Sequence, residues 1–278
     1  MSQANNNGAR PFVRLEMQGA VATVFLSNPP LNLITIEMTR QLGEHLDQLA
    51  VDPAVRALVL TGEGERAFSA GSDIKEFPGL FETETLISTK LIPENRTFAK
   101  FANFPKPTIA AIENLALGGG LELASGADLI VASSNARLGL PEVKLGSFPG
   151  SGGPIRVTRR VGPGRALEMM LLGDPIPAET ALQWGLINWT AAPGAALEKA
   201  RAAAAQLAEG PTAAQFACKA TIRNGLVCSE EEATARSLKF SDLLSRSEDT
   251  RRGVRAFTEK KTPVFPDNLE LSDFTGLY

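Results

Sequence analysis

Between residues 21 and 132 the chain switches repeatedly between two hydrophobic periodicities, and this constrains its fold more than any other feature. Val21–Leu26 (VATVFL) is rich in β-branched and aromatic residues and reads as a strand. Asn28-Pro29-Pro30 breaks it. Met38, Leu42, His45, Leu46 and Leu49 then share one face of a helical repeat, with Thr35 placed as its N-cap. Val55–Leu60 is a second strand, ended by Thr61-Gly62-Glu63-Gly64. Thr108–Ile112 is another, opened by Lys106-Pro107, and Asp128–Ala132 follows after a short helix. Strands that alternate with helices need crossover connections, which predicts α/β layers.

The pattern loosens over residues 78–105, punctuated by Pro78, Pro93 and Pro105, with one helix expected over Glu94–Phe101. A segment of this kind often covers a ligand pocket. From about Ala195 the chain reads as helix only: Ala195–Glu209, stopped by Gly210-Pro211, then Thr212–Leu226 and Glu230–Ser245. Ser247 is a further N-cap, with Glu248 and Asp249 at the positive end of the helix dipole. Lys260 and Lys261 suit its far end, and Pro263 stops it. The expected organisation is a disordered tail over 1–11, an α/β core over 12–194 and a helical region over 195–278. A length of 278 residues accommodates such a division.

Composition removes several classes of function. Lys plus Arg number 28 against 31 Asp plus Glu, a net charge of −3, so no basic field selects nucleic acid or an anionic membrane as the main partner. The sole histidine, His45, excludes any site that needs two imidazoles. It lies on the apolar helical stripe and reads as structural. Two cysteines, Cys218 and Cys228, build neither a disulfide framework nor a four-thiolate zinc site, and fit a reducing cytosol. Cys218, on an amphipathic helix, is expected to be buried. No apolar run reaches the roughly 20 residues that span a bilayer. The polar, Asn-rich start lacks the features of a secretory signal, and Gly276-Leu277-Tyr278 matches no lipidation or retention signal. A cytoplasmic location is expected.

The residues that carry chemistry fall in three stretches: 67–76 (AFSAGSDIKE), 115–124 (LALGGGLELA) and 139–153 (GLPEVKLGSFPGSGG). Gly118-Gly119-Gly120 stand before a short helix, read over Leu121–Ser125. Consecutive glycines let backbone N–H groups approach a ligand, and a helix start presents unpaired donors to an anion or a developing oxyanion. The Lys-Ser/Thr ending of a P-loop is absent. Tight packing of helix on strand explains the same glycines equally well. Glu122 sits inside an apolar helix start, and Glu142 follows Pro141 twenty residues later. A carboxylate among apolar neighbours is costly unless paired or used. Two such groups can divide acid and base work, while a capping or salt-bridged glutamate is the plainer alternative for each.

In this order the three stretches closely resemble the crotonase (enoyl-CoA hydratase/isomerase) family, and the likeness runs from Val21 to Phe265. The resemblance implies a spiral of ββα units followed by a helical C-terminal region that packs in trimers, often paired as hexamers. It implies an oxyanion hole made by the N–H groups of Ser72 and Gly119, holding the thioester oxygen of an acyl-CoA. It implies that Glu122 orients and deprotonates water for attack at the β-carbon. Glu142 would exchange the proton at the α-carbon, both groups adding on one face. Ala70, Asp73, Ile74, Lys75, Leu117 and Gly118 would line the coenzyme A and substrate path, and Phe257 and Lys260 would reach the coenzyme from the terminal helix. No metal or redox cofactor is implied, since coenzyme A arrives as part of the substrate.

Some positions depart from the commoner family pattern. Ser72 stands where Ala is frequent, a change expected to matter little because the backbone is used. Leu140 replaces a common Gln, Pro154 replaces a common Thr, and residues 78–105 match poorly. Retention of both glutamates favours a hydratase, converting a 2-enoyl-CoA to a 3-hydroxyacyl-CoA. An isomerase, or a dehydratase or lyase on a substituted acyl-CoA, is the alternative, and a non-enzymatic or RNA-binding relative of the family is a third reading that the retained glutamates and glycine-rich segments count against. Arg156, Arg159, Arg160 and Arg165 form a basic run, read as a solvated or subunit-bridging face rather than an RNA site. Trp184 and Trp189 flank a helix-to-strand corner and are expected in the core or an interface.

Overall fold

The computed structural model describes residues 12–266. The expected tail over 1–11 and the terminal Gly276-Leu277-Tyr278 lie outside the described residues. The chain opens with an antiparallel pair, β1 (Val13–Gln18) and β2 (Val21–Leu26). α1 (Ile36–Val51) follows, and the Thr35 hydroxyl accepts from the Met38 N–H at its start, as the sequence implies. β3 (Ala57–Gly62) joins β2 in parallel. A 3₁₀ turn at Ile74–Glu76, α2 (Phe77–Glu82), a π-turn at Leu86–Leu91 and α3 (Ile92–Ala102) lead to β4 (Thr108–Ile112), parallel to β3. β5 (Leu115–Leu117), α4 (Gly119–Ala124), β6 (Leu129–Ser133) and β7 (Arg137–Gly139) come next. They are followed by a 3₁₀ turn at Glu142–Leu145, α5 (Gly153–Val161), α6 (Pro163–Leu172), β8 (Ile176–Pro177), α7 (Ala178–Gln183) and β9 (Trp189–Ala191). Four helices end the described chain: α8 (Ala196–Ala208), α9 (Thr212–Gly225), α10 (Glu230–Ser245) and α11 (Glu248–Thr258).

The strands form a six-stranded sheet, β1-β2-β3-β4-β6-β9, and a three-stranded sheet, β5-β7-β8. In the large sheet only β1 runs antiparallel to its neighbour. Both faces of its central strands are covered, as their continuous apolar runs require. One face, with Ala22, Val24, Leu26, Leu58, Leu60, Ala110, Ile112, Ile130 and Ala132, joins the main core with α1 and α3. The other face, with Val21, Ala57, Val59, Ile109, Ala111 and Val131, meets Ala196, Ala200, Ala204 and Ala208 of α8. Four-residue spacing puts those alanines on one stripe, and their small side chains bring helix and sheet close. The alanine-rich helix is thus the second cover of the large sheet, although it begins the segment read as 195–278.

Several boundaries move. β3 starts at Ala57 rather than Val55: the Val55 N–H bonds back to Asp52 in the preceding turn, and the Arg56 N–H reaches Ala20 in the turn between β1 and β2. β6 starts after Asp128, whose carboxylate accepts from the Thr108 N–H and hydroxyl. The helix read from Glu94 begins at Ile92, with Pro93 in its first turn, where a missing N–H costs nothing. Cys218 is exposed, not buried: α9 turns Phe216, Ala217 and Ala220 inward. The arginine run is not one solvated face. Arg156 donates to the Ser151 carbonyl and Arg160 to the Ser125 carbonyl, while Arg159 and Arg165 are exposed. His45 is half-buried beside the core, Trp184 packs against that core, and Trp189 is exposed on the edge strand. Among the described residues no helix is long and apolar enough to cross a membrane.

Candidate active site

The small sheet brings the two glutamates together. β5 and β7 are parallel neighbours, with Leu117 opposite Gly139. The Gly118 N–H donates to the Gly139 carbonyl at 2.9 Å, so both strands end at one level. Each is followed at once by a helical turn, α4 from β5 and the turn at Glu142 from β7. The nineteen residues between the glutamates are the crossover that returns the chain to this edge.

A third segment is fixed against β5 by a parallel bridge between Ser69 and Ala116. The Leu117 N–H donates to the Ser69 carbonyl at 3.0 Å. Three residues beyond Ser69 is Ser72, and three beyond Ala116 is Gly119. A second bridge, Ile34 with Ser72, occupies Gly71 and Asp73 and leaves the Ser72 N–H on its other side. Neither the Ser72 nor the Gly119 N–H donates to a partner among the described residues. A Cβ at Gly71 would stand 3.5 Å from the Gly119 nitrogen, a measure of how closely the two segments run.

Two of the three glycines are required for different reasons. Gly118 has φ +53°, and a Cβ there would lie 2.9 Å from Glu142 Oε1. At Gly120 a Cβ would lie 2.3 Å from the Ser69 carbonyl oxygen, which leaves no room for a side chain. The packing explanation therefore holds for Gly120, while Gly118 shapes the floor beneath Glu142.

Glu122 is buried, and its Oε1 accepts from the Ser151 N–H at 2.7 Å and the Gly153 N–H at 2.8 Å. Its Oε2 accepts no bond among the described residues. Burial pushes the carboxyl up to about 7; the Gly153 and Ser151 bonds oppose the shift, and the Glu142 and Glu94 charges add to it. Glu142 is half-buried, and its Oε2 is a buried oxygen with no hydrogen-bond partner. Burial raises this carboxyl too, and the Glu94 charge contributes. A pinned carboxylate and an unpartnered one thus stand close enough for the charge of one to raise the other. That is the arrangement by which two like groups divide base and acid roles.

A third carboxylate, absent from the sequence reading, completes the cluster. Glu94 of α3 is 1% exposed. It accepts from the Ser151 hydroxyl at 2.6 Å and from the Ser72 hydroxyl at 3.3 Å. The Ser72 side chain is therefore engaged, contrary to the expectation that only its backbone matters. Lys90, fully buried in the π-turn, stands 3.7 Å from Glu94 and 2.8 Å from Glu76. Only the four-residue spacing of Lys90 and Glu94 signals this pair in the sequence, and such spacing ordinarily marks a solvated helix surface.

The remaining expected residues divide. Ala70 is half-buried, its N–H bonded to Leu31. Asp73 caps the turn at Ile74–Glu76 by accepting from the Lys75 N–H, and Ile74 and Lys75 are exposed. Leu117 is half-buried at the end of β5. Gly118 stands against Glu142, and Leu117 precedes it at the end of β5. Phe257 and Lys260 are not gathered there: both are exposed at the end of α11, a helix that packs on α10.

Known proteins resemble this chain over most of its length. Residues 16–268 match the model of the enoyl-CoA hydratase/isomerase family. The chain is 38% identical to a probable enoyl-CoA hydratase of Bacillus subtilis (strain 168), over 91% of this chain and 98% of the relative. It is 35% identical to the carnitinyl-CoA dehydratase of Proteus mirabilis (strain HI4320), over 90% of this chain and 97% of the relative. The crystal structure of an enoyl-CoA hydratase from Bacillus anthracis superposes with a TM-score of 0.87 at 30% identity, covering 91% of this chain and 98% of that one. The chain belongs to the enoyl-CoA hydratase/isomerase, or crotonase, family of enzymes.

Proposed function

We propose that the protein is an enoyl-CoA hydratase, adding water across the double bond of a 2-enoyl-CoA to give a 3-hydroxyacyl-CoA. The observation that carries this reading is the pairing of Glu122, held by two N–H donors with Oε2 left open, with Glu142, whose Oε2 has no partner. Attack at the β-carbon moves charge onto the thioester oxygen. The Ser72 and Gly119 N–H groups receive that charge, and such preorganised donors are worth about 3 kcal/mol each. Glu122 orients a water through Oε2 and takes its proton. Glu142 delivers a proton to the α-carbon of the resulting enolate. Each glutamate lies in the helical segment that follows one of two adjacent parallel strands, and in this reading both groups add from the same side.

Ala70, Asp73, Ile74, Lys75, Leu117 and Gly118 form the coenzyme A path in this reading, and the coenzyme is carried by the substrate. Phe257 and Lys260, exposed at and just beyond the end of α11, serve a neighbouring subunit of a trimer or a pair of trimers in this reading. A dehydratase acting on a substituted acyl-CoA is the second reading, favoured by the 35% identity to a carnitinyl-CoA dehydratase. The test is conversion of crotonyl-CoA and a longer 2-enoyl-CoA, with the product identified by mass. Gain of one water supports hydration. A double bond that moves without mass change supports isomerisation instead, and turnover of 3-hydroxyacyl esters alone supports the dehydratase.

A further inference from the structure

A buried charge network stands behind the two catalytic carboxylates. Glu94 is enclosed, and Lys90 one turn earlier is enclosed with it. Lys90 Nζ donates to the Ile34 carbonyl at 3.0 Å and to Glu76 at 2.8 Å. Replacing such a buried pair with packed apolar residues is commonly neutral or favourable for stability, so stability alone is a weak reason for it. Its placement supplies another. Ser151 uses both of its donors: the hydroxyl bonds Glu94, and the backbone N–H bonds Glu122 Oε1. A displacement of the Ser151 backbone would break both bonds. On the opposite side the Ser72 hydroxyl bonds Glu94, and a Cβ on Gly119 would lie 3.6 Å from Glu94 Oε1.

We infer that Glu94 is a positioning residue for the proposed hydration, fixing Glu122 through Ser151 and the oxyanion donor through Ser72. It touches no reacting atom. It ties the two segments that must keep register while charge passes from the attacking water to the thioester oxygen. Misplacement by about 1 Å at such a distance can cost about 100-fold in rate. This inference rests on the hydratase reading for its kinetic form, whereas its spectroscopic form needs no turnover.

The test compares wild type with Glu94→Gln, Glu94→Leu, Ser151→Ala and the double variant Glu94→Gln/Ser151→Ala, on whichever 2-enoyl-CoA the wild type hydrates. Melting curves first establish that each variant is folded; Ser151→Ala, the loss of one hydroxyl, carries the test if Glu94→Leu does not fold. A positioning role predicts that Ser151→Ala and Glu94→Leu lower kcat by about 30- to 100-fold with KM nearly unchanged. Glu94→Gln retains more, because its amide oxygen still accepts from Ser151. The double variant is no slower than Ser151→Ala alone. Unchanged kcat in Ser151→Ala, or a rise in KM alone, overturns the inference.

A wild type that hydrates no enoyl-CoA overturns the hydratase reading instead, and carbon-13 NMR of the Glu122 carboxyl, assigned by its loss in Glu122→Gln, then decides. The charged groups facing that carboxyl are Glu142, Glu94 and Arg156, with Lys90 and Glu76 beyond Glu94. Removing the Glu94 charge is expected to move the Glu122 titration to lower pH. A titration that does not move overturns the coupling.

Discussion

Burial and hydrogen bonding act on Glu122 in opposite directions, and burial is the larger. The carboxyl titrates at about 7 against an ordinary 4.5. A folded state that holds its proton more tightly than the unfolded state is most stable at low pH, and loses that advantage as pH rises from 4.5 to about 7. The difference corresponds to about 3 kcal/mol. Glu122→Gln keeps an oxygen for the Ser151 and Gly153 N–H groups without the charge. It should therefore melt higher than wild type at pH 8 and close to wild type at pH 4, as thermal denaturation at the two pH values would show. The same ionisation produces the working base, so kcat/KM should rise with pH through about 7. A rate that is flat from pH 5 to 8 would remove Glu122 from that role. At this scale the two glutamates were legible in the sequence, because each is an acid out of place among apolar or glycine neighbours. Glu94 was not. It lies among Pro93, Asn95 and Arg96, where a charge is ordinary, and only the fold turns it inward.

Among the elements, the π-turn and α3 bear the network that covers the site. Lys90 compensates Glu94 inside the protein. Lys90→Met is expected to cost about 3–5 kcal/mol, the usual penalty for stranding one member of a buried pair. Urea denaturation would measure it, and a loss below 1 kcal/mol would mean that Glu94 is neutralised in another way. Long elements were legible: α1 with its Thr35 cap, α10 over Glu230–Ser245, and the strands at 21–26 and 108–112. The small sheet was not. β5 and β7 have three residues each and β8 has two, too short for any alternation to register. Yet β5 and β7 bring Glu122 and Glu142 to one edge, so the decisive geometry rests on the elements least visible in sequence. β1 went unread because it is partly exposed, with Met17 and Gln18 open to solvent.

At the scale of the whole molecule, the large sheet is closed by α1 and α3 on one face and by α8 on the other. Beyond it α9 and α10 hold a separate small core around Phe216 and Phe240. The succession of α/β and then helix was readable from periodicity, whereas the second sheet and the seat of α8 required the three-dimensional structure. Exposed apolar residues at the helical end include Ile222, Val227, Leu238, Val254 and Phe257, which is 87% exposed. A subunit contact would cover such residues. Light scattering is expected to give the mass of three or six chains, and a stable monomer at micromolar concentration would contradict the proposed assembly.

The most direct measurement is the loss of conjugated-thioester absorbance from crotonyl-CoA with wild type, Glu122→Gln and Glu142→Gln side by side. Rapid loss with wild type is expected, with a fall of about 100- to 10,000-fold in each variant. No loss with a wild type that demonstrably binds the ester, or full activity in either variant, would contradict hydration by this pair of glutamates.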